Sequence, residues 1–89
     1  MKGFIGEFEE LVLLTIATLG NEAYGVAIRE QIEKRANRSI SIGALHSTIS
    51  RLEDKGYLTS YMGEATSKRG GRKKRYFELT TDAKSALSA

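Results

Sequence analysis

The sequence predicts a mainly α-helical domain with a small antiparallel β-hairpin, in the element order α-α-α-β-β-α. Three observations predict this fold class. Apolar residues recur at helical spacing in successive segments of the first 55 residues. The spacing then changes to the alternation typical of strands, interrupted by a basic, glycine-containing stretch. A last short segment returns to helical spacing. This order of elements is that of a winged helix-turn-helix.

The length and composition of the chain limit what it can be. Its 89 residues suffice for one small domain, taken as 1–89, with a single core. The chain contains no cysteine, so it forms no disulfide or thiolate metal site, and a reducing cytoplasm is compatible. The longest apolar run, Leu11 to Ile16, is too short to span a bilayer. We expect a cytoplasmic protein with no metal, no cofactor and no membrane partner.

The net charge of +3 is unevenly distributed along the chain. Residues 1–36 carry four bases and six acids, and residues 76–89 carry one base and two acids. Residues 37–75 carry nine bases and three acids. Positive charge concentrated in one part of a small domain is typical of proteins that bind a polyanion.

The first predicted helix runs from about residue 6 to residue 19. Apolar side chains cover nearly all its sides, which is more than one small subunit is expected to bury. We therefore predict that this helix forms a homodimer interface together with the terminal helix. The alternative is a helix that is merely central in the monomer. The residues predicted at the interface are Phe8, Leu11, Val12, Leu14 and Leu87.

The second and third helices are predicted at about 24–36 and 42–55. A short polar link joins them, and this is the helix-turn-helix arrangement. Ser41 is placed to cap the third helix, and Gly56 is placed to end it. The predicted apolar stripe of the third helix consists of Ile42, Leu45, Ile49 and Leu52.

The opposite side of the third helix is small-sided or polar, and its acids are held back to the C-terminal end. Such a side can approach a polyanion closely, so we interpret the third helix as the helix that reads DNA. The residues predicted to contact DNA here are Ser41, Gly43, Ala44, His46, Ser47, Ser50 and Arg51. For His46 the alternative is an idle surface histidine. For Arg51 it is a salt bridge within the helix to Asp54.

Two strands are predicted at about 57–63 and 75–80, followed by a last helix at 81–89. The run KRGGRKKR, residues 68–75, contains six bases in eight residues and connects the strands. A basic hairpin directly after a helix-turn-helix is a wing, and we expect its bases to bind phosphate. The alternative is a solvated charge cluster. The wing residues predicted to contact DNA are Lys68, Arg69, Gly70, Gly71, Arg72, Lys73, Lys74 and Arg75.

The start of the second helix offers two interpretations. Tyr24 is placed to donate a hydrogen bond to a phosphate near the helix N-terminus, or to pack near Gly25. Gly25 itself indicates close packing or close approach of another backbone. The large apolar and aromatic side chains of the hairpin are interpreted as its core; they are Tyr57, Tyr61, Met62 and Phe77.

These segments together resemble the N-terminal winged helix-turn-helix domain of PadR-family transcriptional regulators. The resemblance covers about residues 6–87 and lies in three stretches: AYGVAI at 23–28, SIGALHSTISRLEDKGYL at 41–58, and GEATSKRGGRKKRYFELT at 63–80. The chain departs from the family pattern at Leu45-His46-Ser47, where many members have Leu-Tyr-Pro. It also departs at Ala83, where many have glycine.

The resemblance implies a sequence-specific regulator that binds double-stranded DNA, of the repressor type, acting as a homodimer on a pseudo-palindromic operator. It leaves room for an unidentified small-molecule effector. The family usually continues into a C-terminal helix that pairs subunits, so we expect either a short-tailed member or a truncated one. The alternative from another class is a winged-helix module for protein–protein contact or RNA binding. No residue cluster in the sequence could serve an enzyme.

Overall fold

A computed structural model describes residues 5–37, 39–63 and 74–88. Within these ranges, the chain forms four α-helices and a two-stranded antiparallel sheet in the predicted order, which confirms the fold class. The elements are α1 (Glu7–Leu19), α2 (Gly25–Ala36), α3 (Ile42–Asp54), β1 (Leu58–Met62), β2 (Arg75–Leu79) and α4 (Thr81–Ser88). A short 3₁₀ turn, Gly20–Glu22, connects α1 to α2.

An apolar core joins all six elements. Of the stripe predicted for α3, Leu45, Ile49 and Leu52 are buried in this core, whereas Ile42 is exposed. Ile42 is the first residue of the helix, and side chains there lean back toward the N-terminus and away from the core below. Thr48 is buried in the stripe instead. The prediction for Ile42 is therefore wrong, and the other three positions are confirmed.

The first helix divides its apolar side chains between the core and the surface. Val12 is 0% exposed and packs inside its own subunit, so the prediction that it lies at a dimer interface is wrong. Leu14 is 43% exposed on the opposite side of α1, with Leu11 partly buried beside it. Phe8 and Leu87, also predicted at the interface, are partly buried against the core.

The hairpin is joined to the helix-turn-helix by the segment that precedes α2. β1 and β2 pair in antiparallel register, from Leu58 opposite Leu79 to Met62 opposite Arg75. The segment before α2 adds a backbone bridge to β2 between Tyr24 and Tyr76. The Phe77 N–H also donates a hydrogen bond to the Ala23 carbonyl, with an N···O distance of 2.9 Å. The base of the wing therefore has a set position relative to α2.

The core role predicted for the hairpin side chains holds for only half of them. Tyr57 and Phe77 are buried, as predicted. Tyr61 and Met62 are exposed, so the interpretation of these two as core is wrong. Tyr61 lies in the open groove between the end of α1, the hairpin and α4 and stacks on Tyr76, and Met62 lies in the last described pair of the hairpin, opposite Arg75.

Candidate nucleic-acid interface

The third helix begins and ends where its local sequence signals indicate. The Ser41 Oγ accepts a hydrogen bond from the Ala44 N–H at 3.1 Å, which satisfies a free donor of the first turn. After the helix, Gly56 has a φ of +82°, in the left-handed region that favours glycine. These two residues set the length of the helix that is predicted to read DNA.

Two side chains of α2 hold the link that leads into α3. Arg29 donates from Nε to the Ile40 carbonyl at 2.9 Å. The Ile40 N–H donates to Glu33 Oε2 at 2.8 Å. Arg29 and Glu33 are one helical turn apart, with 3.6 Å between Nε and Oε2. The backbone N–H and carbonyl of Ile40 are thus both satisfied by α2, which restrains the position of Ile40 just before α3.

The side of α3 that faces away from the core is accessible along its whole length. Gly43, Ser47 and Ser50 lie roughly opposite the buried Leu45 and Leu52 at about 100° per residue. A Cβ at Gly43 would meet no atom within 4 Å among the described residues. This surface is therefore open to close approach by a partner. All the residues of α3 and its N-cap that were predicted to contact DNA are exposed; they are Ser41, Gly43, Ala44, His46, Ser47, Ser50 and Arg51.

The base of the wing is built on an aromatic cluster. The Tyr24 ring meets the Tyr76 ring edge to face, and Tyr61 stacks on the other side of Tyr76, with 5.6 Å between centroids in both pairs. The Lys74 Nζ lies 4.0 Å from the centroid of the Tyr24 ring. Tyr24 thus packs against Tyr76 and Lys74, and its partly exposed side chain positions a cation near the start of α2.

A groove brings together the three elements that are predicted to touch DNA. It has a volume of about 510 Å³, and its lining includes Tyr24 and Val26 from the start of α2, His46 from α3, and Lys74 and Arg75 from the wing. A smaller depression of about 240 Å³ adjoins it at His46 and Arg75. The remaining predicted wing contacts lie outside the described residues; they are Lys68, Arg69, Gly70, Gly71, Arg72 and Lys73.

A buried carboxylate links α1 to α3. The Glu9 side chain is only 9% exposed, and its Oε2 accepts from Arg51 Nε at 3.2 Å. Its Oε1 accepts from Lys55 Nζ at 2.9 Å and from the Gly6 N–H at 3.0 Å. Burial acts to raise the pKa of Glu9, but the hydrogen bonds from Lys55, Gly6 and Arg51 outweigh it and leave the pKa below its ordinary value.

Sequence reasoning missed the part that Glu9 plays. Arg51 pairs with Glu9 and not with Asp54, the partner that its helical spacing suggested. The two residues of the pair are 42 positions apart, so no local spacing could indicate it. Glu9 looked instead like an ordinary acid in the first turn of a helix. Gly63 was missed for a similar reason, because only the folded hairpin places it against the Tyr76 ring.

The described residues provide no site of two other common kinds. They contain no group of three or more histidine, cysteine or acidic residues placed to hold a metal ion. In the described parts of the chain, no helix has the length and apolar character needed to cross a membrane. Every buried polar side-chain atom there has a hydrogen-bond partner. The exposed side of α3 and the wing base therefore form the most distinctive surface described.

The helix-turn-helix followed by a two-stranded wing makes this chain a winged-helix protein. The profile of the transcriptional regulator PadR-like family matches residues 12–89, and the chain belongs to that family. Comparison with curated proteins gave no match.

Solved structures agree with this assignment. A PadR-like transcription factor from Bacteroides fragilis is 27% identical with a TM-score of 0.70, over 91% of this chain and 73% of that chain. A PadR-family transcription regulator from Clostridium difficile is 25% identical with a TM-score of 0.65, over 88% of this chain and 79% of that one. A transcriptional regulator from Clostridium thermocellum shares the fold. It is 23% identical with a TM-score of 0.68, over 96% of this chain and 82% of that one.

Proposed function

We propose that this protein binds double-stranded DNA sequence-specifically in the cytoplasm and represses transcription by occluding its operator. The observation that supports this most directly is the meeting of α3 with the wing base. The outward side of α3 carries no acid from Ile42 to Leu52, so it can enter a major groove without repulsion from phosphate. Lys74 and Arg75 are exposed at the edge of the same groove, where backbone phosphates would lie.

The proposed form on DNA is a homodimer. Two α3 helices related by a two-fold axis would enter successive major grooves about 34–36 Å apart, which makes the operator pseudo-palindromic. The exposed Leu14 and the partly buried Leu11 form an apolar stripe on the outer side of α1, and a second subunit would cover it. A dimer lying across two grooves blocks access of other proteins to the same DNA.

Base recognition is assigned to the middle of α3. His46 and Ser47 are exposed there and carry groups that can donate to or accept from base edges. Arg51, Lys74 and Arg75 are assigned to phosphates, which position the protein but carry no sequence information. Membership of a family of transcriptional regulators supports this assignment.

The proposal is tested by selecting bound duplexes from a random pool and measuring Kd for the selected and random duplexes at physiological salt. We expect the selected duplex to bind at least about 10³-fold more tightly. Ser47→Ala and His46→Ala should each cost about 1–3 kcal/mol at particular base pairs. Ser85→Ala, exposed on α4, is the matched control and should change nothing. Transcription from a promoter that contains the selected site should fall when the protein is added.

Equal affinity for selected and random duplexes would contradict sequence-specific binding. Tighter binding of structured RNA than of any duplex would instead favour a winged-helix module of another kind. Normal transcription from a promoter whose site is fully occupied would contradict repression by occlusion, while leaving specific binding intact.

A further inference from the structure

The geometry of Arg51 differs from that of an ordinary surface arginine. Its side chain is 57% exposed, yet two of its three nitrogens already have partners in the protein. Nε donates to Glu9 Oε2 at 3.2 Å, and Nη2 lies 3.4 Å from the Thr48 Oγ1. Within the described residues, Nη1 has no hydrogen-bond partner. The guanidinium group is thus held along its inner edge while its outer edge is open.

The two groups that hold Arg51 are themselves fixed. Thr48 is buried in the core on the same helix as Arg51. Glu9 is almost fully buried on α1, and its other oxygen is engaged by Lys55 and by the Gly6 N–H. Because a guanidinium group is planar and rigid, partners on two of its nitrogens set the direction in which the remaining N–H groups point.

We propose that Glu9 is a positioning residue for DNA binding, which holds Arg51 so that its open guanidinium edge meets a backbone phosphate beside α3. This inference rests on the proposed function. Arg51 projects from the flank of the exposed side of α3 that is nearer to α1, and so could reach the phosphate backbone at the border of the groove. A pre-oriented arginine loses less rotamer freedom on binding than a free one.

Simple electrostatics predicts the opposite change in DNA affinity when the charge of Glu9 is removed. An acid near a polyanion repels it, so removing the charge of Glu9 should strengthen DNA binding if charge alone matters. A positioning role predicts that removing the same charge weakens binding, because Arg51 is released. A merely structural role predicts lower stability, with an effect on binding that does not depend on Arg51.

The experiment is a double-mutant cycle on the whole chain, with Kd measured for the selected duplex at fixed salt. Glu9→Gln keeps the size of the side chain and removes its charge. We expect it to weaken binding by about twofold to tenfold when Arg51 is present, and to leave binding unchanged or tighter in the Arg51→Ala background. The matched control is Glu10→Gln, which removes the same charge from an exposed position on the same turn of α1. The control should not weaken binding.

A second background guards against an effect of folding. Arg51→Lys keeps the positive charge but replaces the planar guanidinium with a single rotatable ammonium nitrogen, which has no second edge for Glu9 to orient. Glu9→Gln in this background should no longer weaken binding. Thermal unfolding followed by circular dichroism shows whether each variant is folded at the temperature of the binding assay.

Three results would overturn the inference. Glu9→Gln could strengthen binding as much as Glu10→Gln does, which would make Glu9 only a repelling charge. It could weaken binding equally in all backgrounds, which would place its effect in Lys55 or in the fold. It could also leave binding unchanged. If the parent protein binds no duplex at all, the proposed function fails and this inference fails with it; if the parent binds and the cycle shows no coupling, only this inference fails.

Discussion

The residue that constrains the wing base most tightly is a glycine. A Cβ added at Gly63 would overlap the ring of Tyr76, which contacts the rings of both Tyr24 and Tyr61. The Gly63 N–H also donates to the Lys74 carbonyl at 2.7 Å, which closes the described end of the hairpin. The absence of a side chain at position 63 therefore lets the aromatic cluster and the cation of Lys74 occupy their places.

Gly25 provides the contrast. A Cβ built there would meet nothing within 4 Å among the described residues, and its backbone is helical. Close packing within the subunit, one interpretation of this glycine from the sequence, is therefore not what requires it. The other interpretation, that another backbone approaches Gly25 closely, stays a prediction.

The difference between Gly63 and Gly25 can be tested by replacing each with alanine. Gly63→Ala should displace Tyr76 and destabilise the fold by about 1–3 kcal/mol, the usual cost of forcing an extra carbon into packed surroundings. Gly25→Ala should be neutral or stabilising by about 0.5–1 kcal/mol, because alanine loses less backbone freedom in a helix. Urea unfolding measures both, and tyrosine circular dichroism reports on the cluster. Equal stability of the two variants would show that Tyr76 can move aside at no cost.

At the scale of elements, the interface combines a helix and a hairpin that meet through the start of α2. The bridge between Tyr24 and Tyr76 connects α2 to β2, and the link held by Arg29 and Glu33 connects α2 to α3. The helix proposed to read bases and the strand that begins at Arg75, directly after Lys74, are therefore both held in position by α2. Phosphate contacts by the wing should thus accompany, and not replace, entry of α3 into the groove.

The contribution of the wing base is tested by the salt dependence of binding. Lys74→Ala should reduce the slope of log affinity against log salt by about 0.9 per lost phosphate contact, which is about 2 for a dimer. It should weaken selected and random duplexes nearly equally, because phosphates carry no sequence information. Lys84→Ala removes the same charge from α4. Lys84 lines a different groove, which lies between the end of α1, the hairpin and α4. That control should leave the slope unchanged.

Two outcomes of this experiment would contradict the assignment of Lys74 to a phosphate. If Lys74→Ala and Lys84→Ala shift the slope alike, Lys74 acts only through the net charge of the protein. If Lys74→Ala changes the preference between duplexes, the residue contacts a base edge and its assignment to phosphate is wrong.

At the scale of the whole molecule, the outer side of α1 bears on subunit pairing. Leu14 is a large apolar side chain that its own subunit leaves 43% exposed. Val12 on the same helix is fully buried in the core. Substitutions at these two positions should therefore have different consequences, although the sequence pattern alone treats them alike.

The dimer is tested by sedimentation at micromolar concentration. The parent protein should have the mass of two chains, and Leu14→Glu should have the mass of one folded chain, because a charge at the interface opposes pairing. Val12→Glu should unfold the chain, since it would bury an unpaired charge in the core. Val26→Glu adds the same charge at another exposed apolar position and should still pair. A parent that sediments as a monomer would contradict the proposed homodimer.

The sequence by itself determined the fold class and the ends of the helix predicted to read DNA. Both depend on local signals, because apolar spacing distinguishes helix from strand and a serine cap and a left-handed glycine act on adjacent residues. The same local pattern identified the outward side of α3, and the residues there are exposed as expected. Their contacts with DNA stay predictions.

Only the tertiary structure decided which of several similar residues go inside and which distant residues meet. α1 is apolar on nearly all sides, so its spacing could not tell the buried Val12 from the exposed Leu14. The pairing of Glu9 with Arg51 and the bridge between Tyr24 and Tyr76 join residues 42 and 52 positions apart. Such contacts depend on how the elements pack together, and a pattern that repeats every few residues carries no information about that packing.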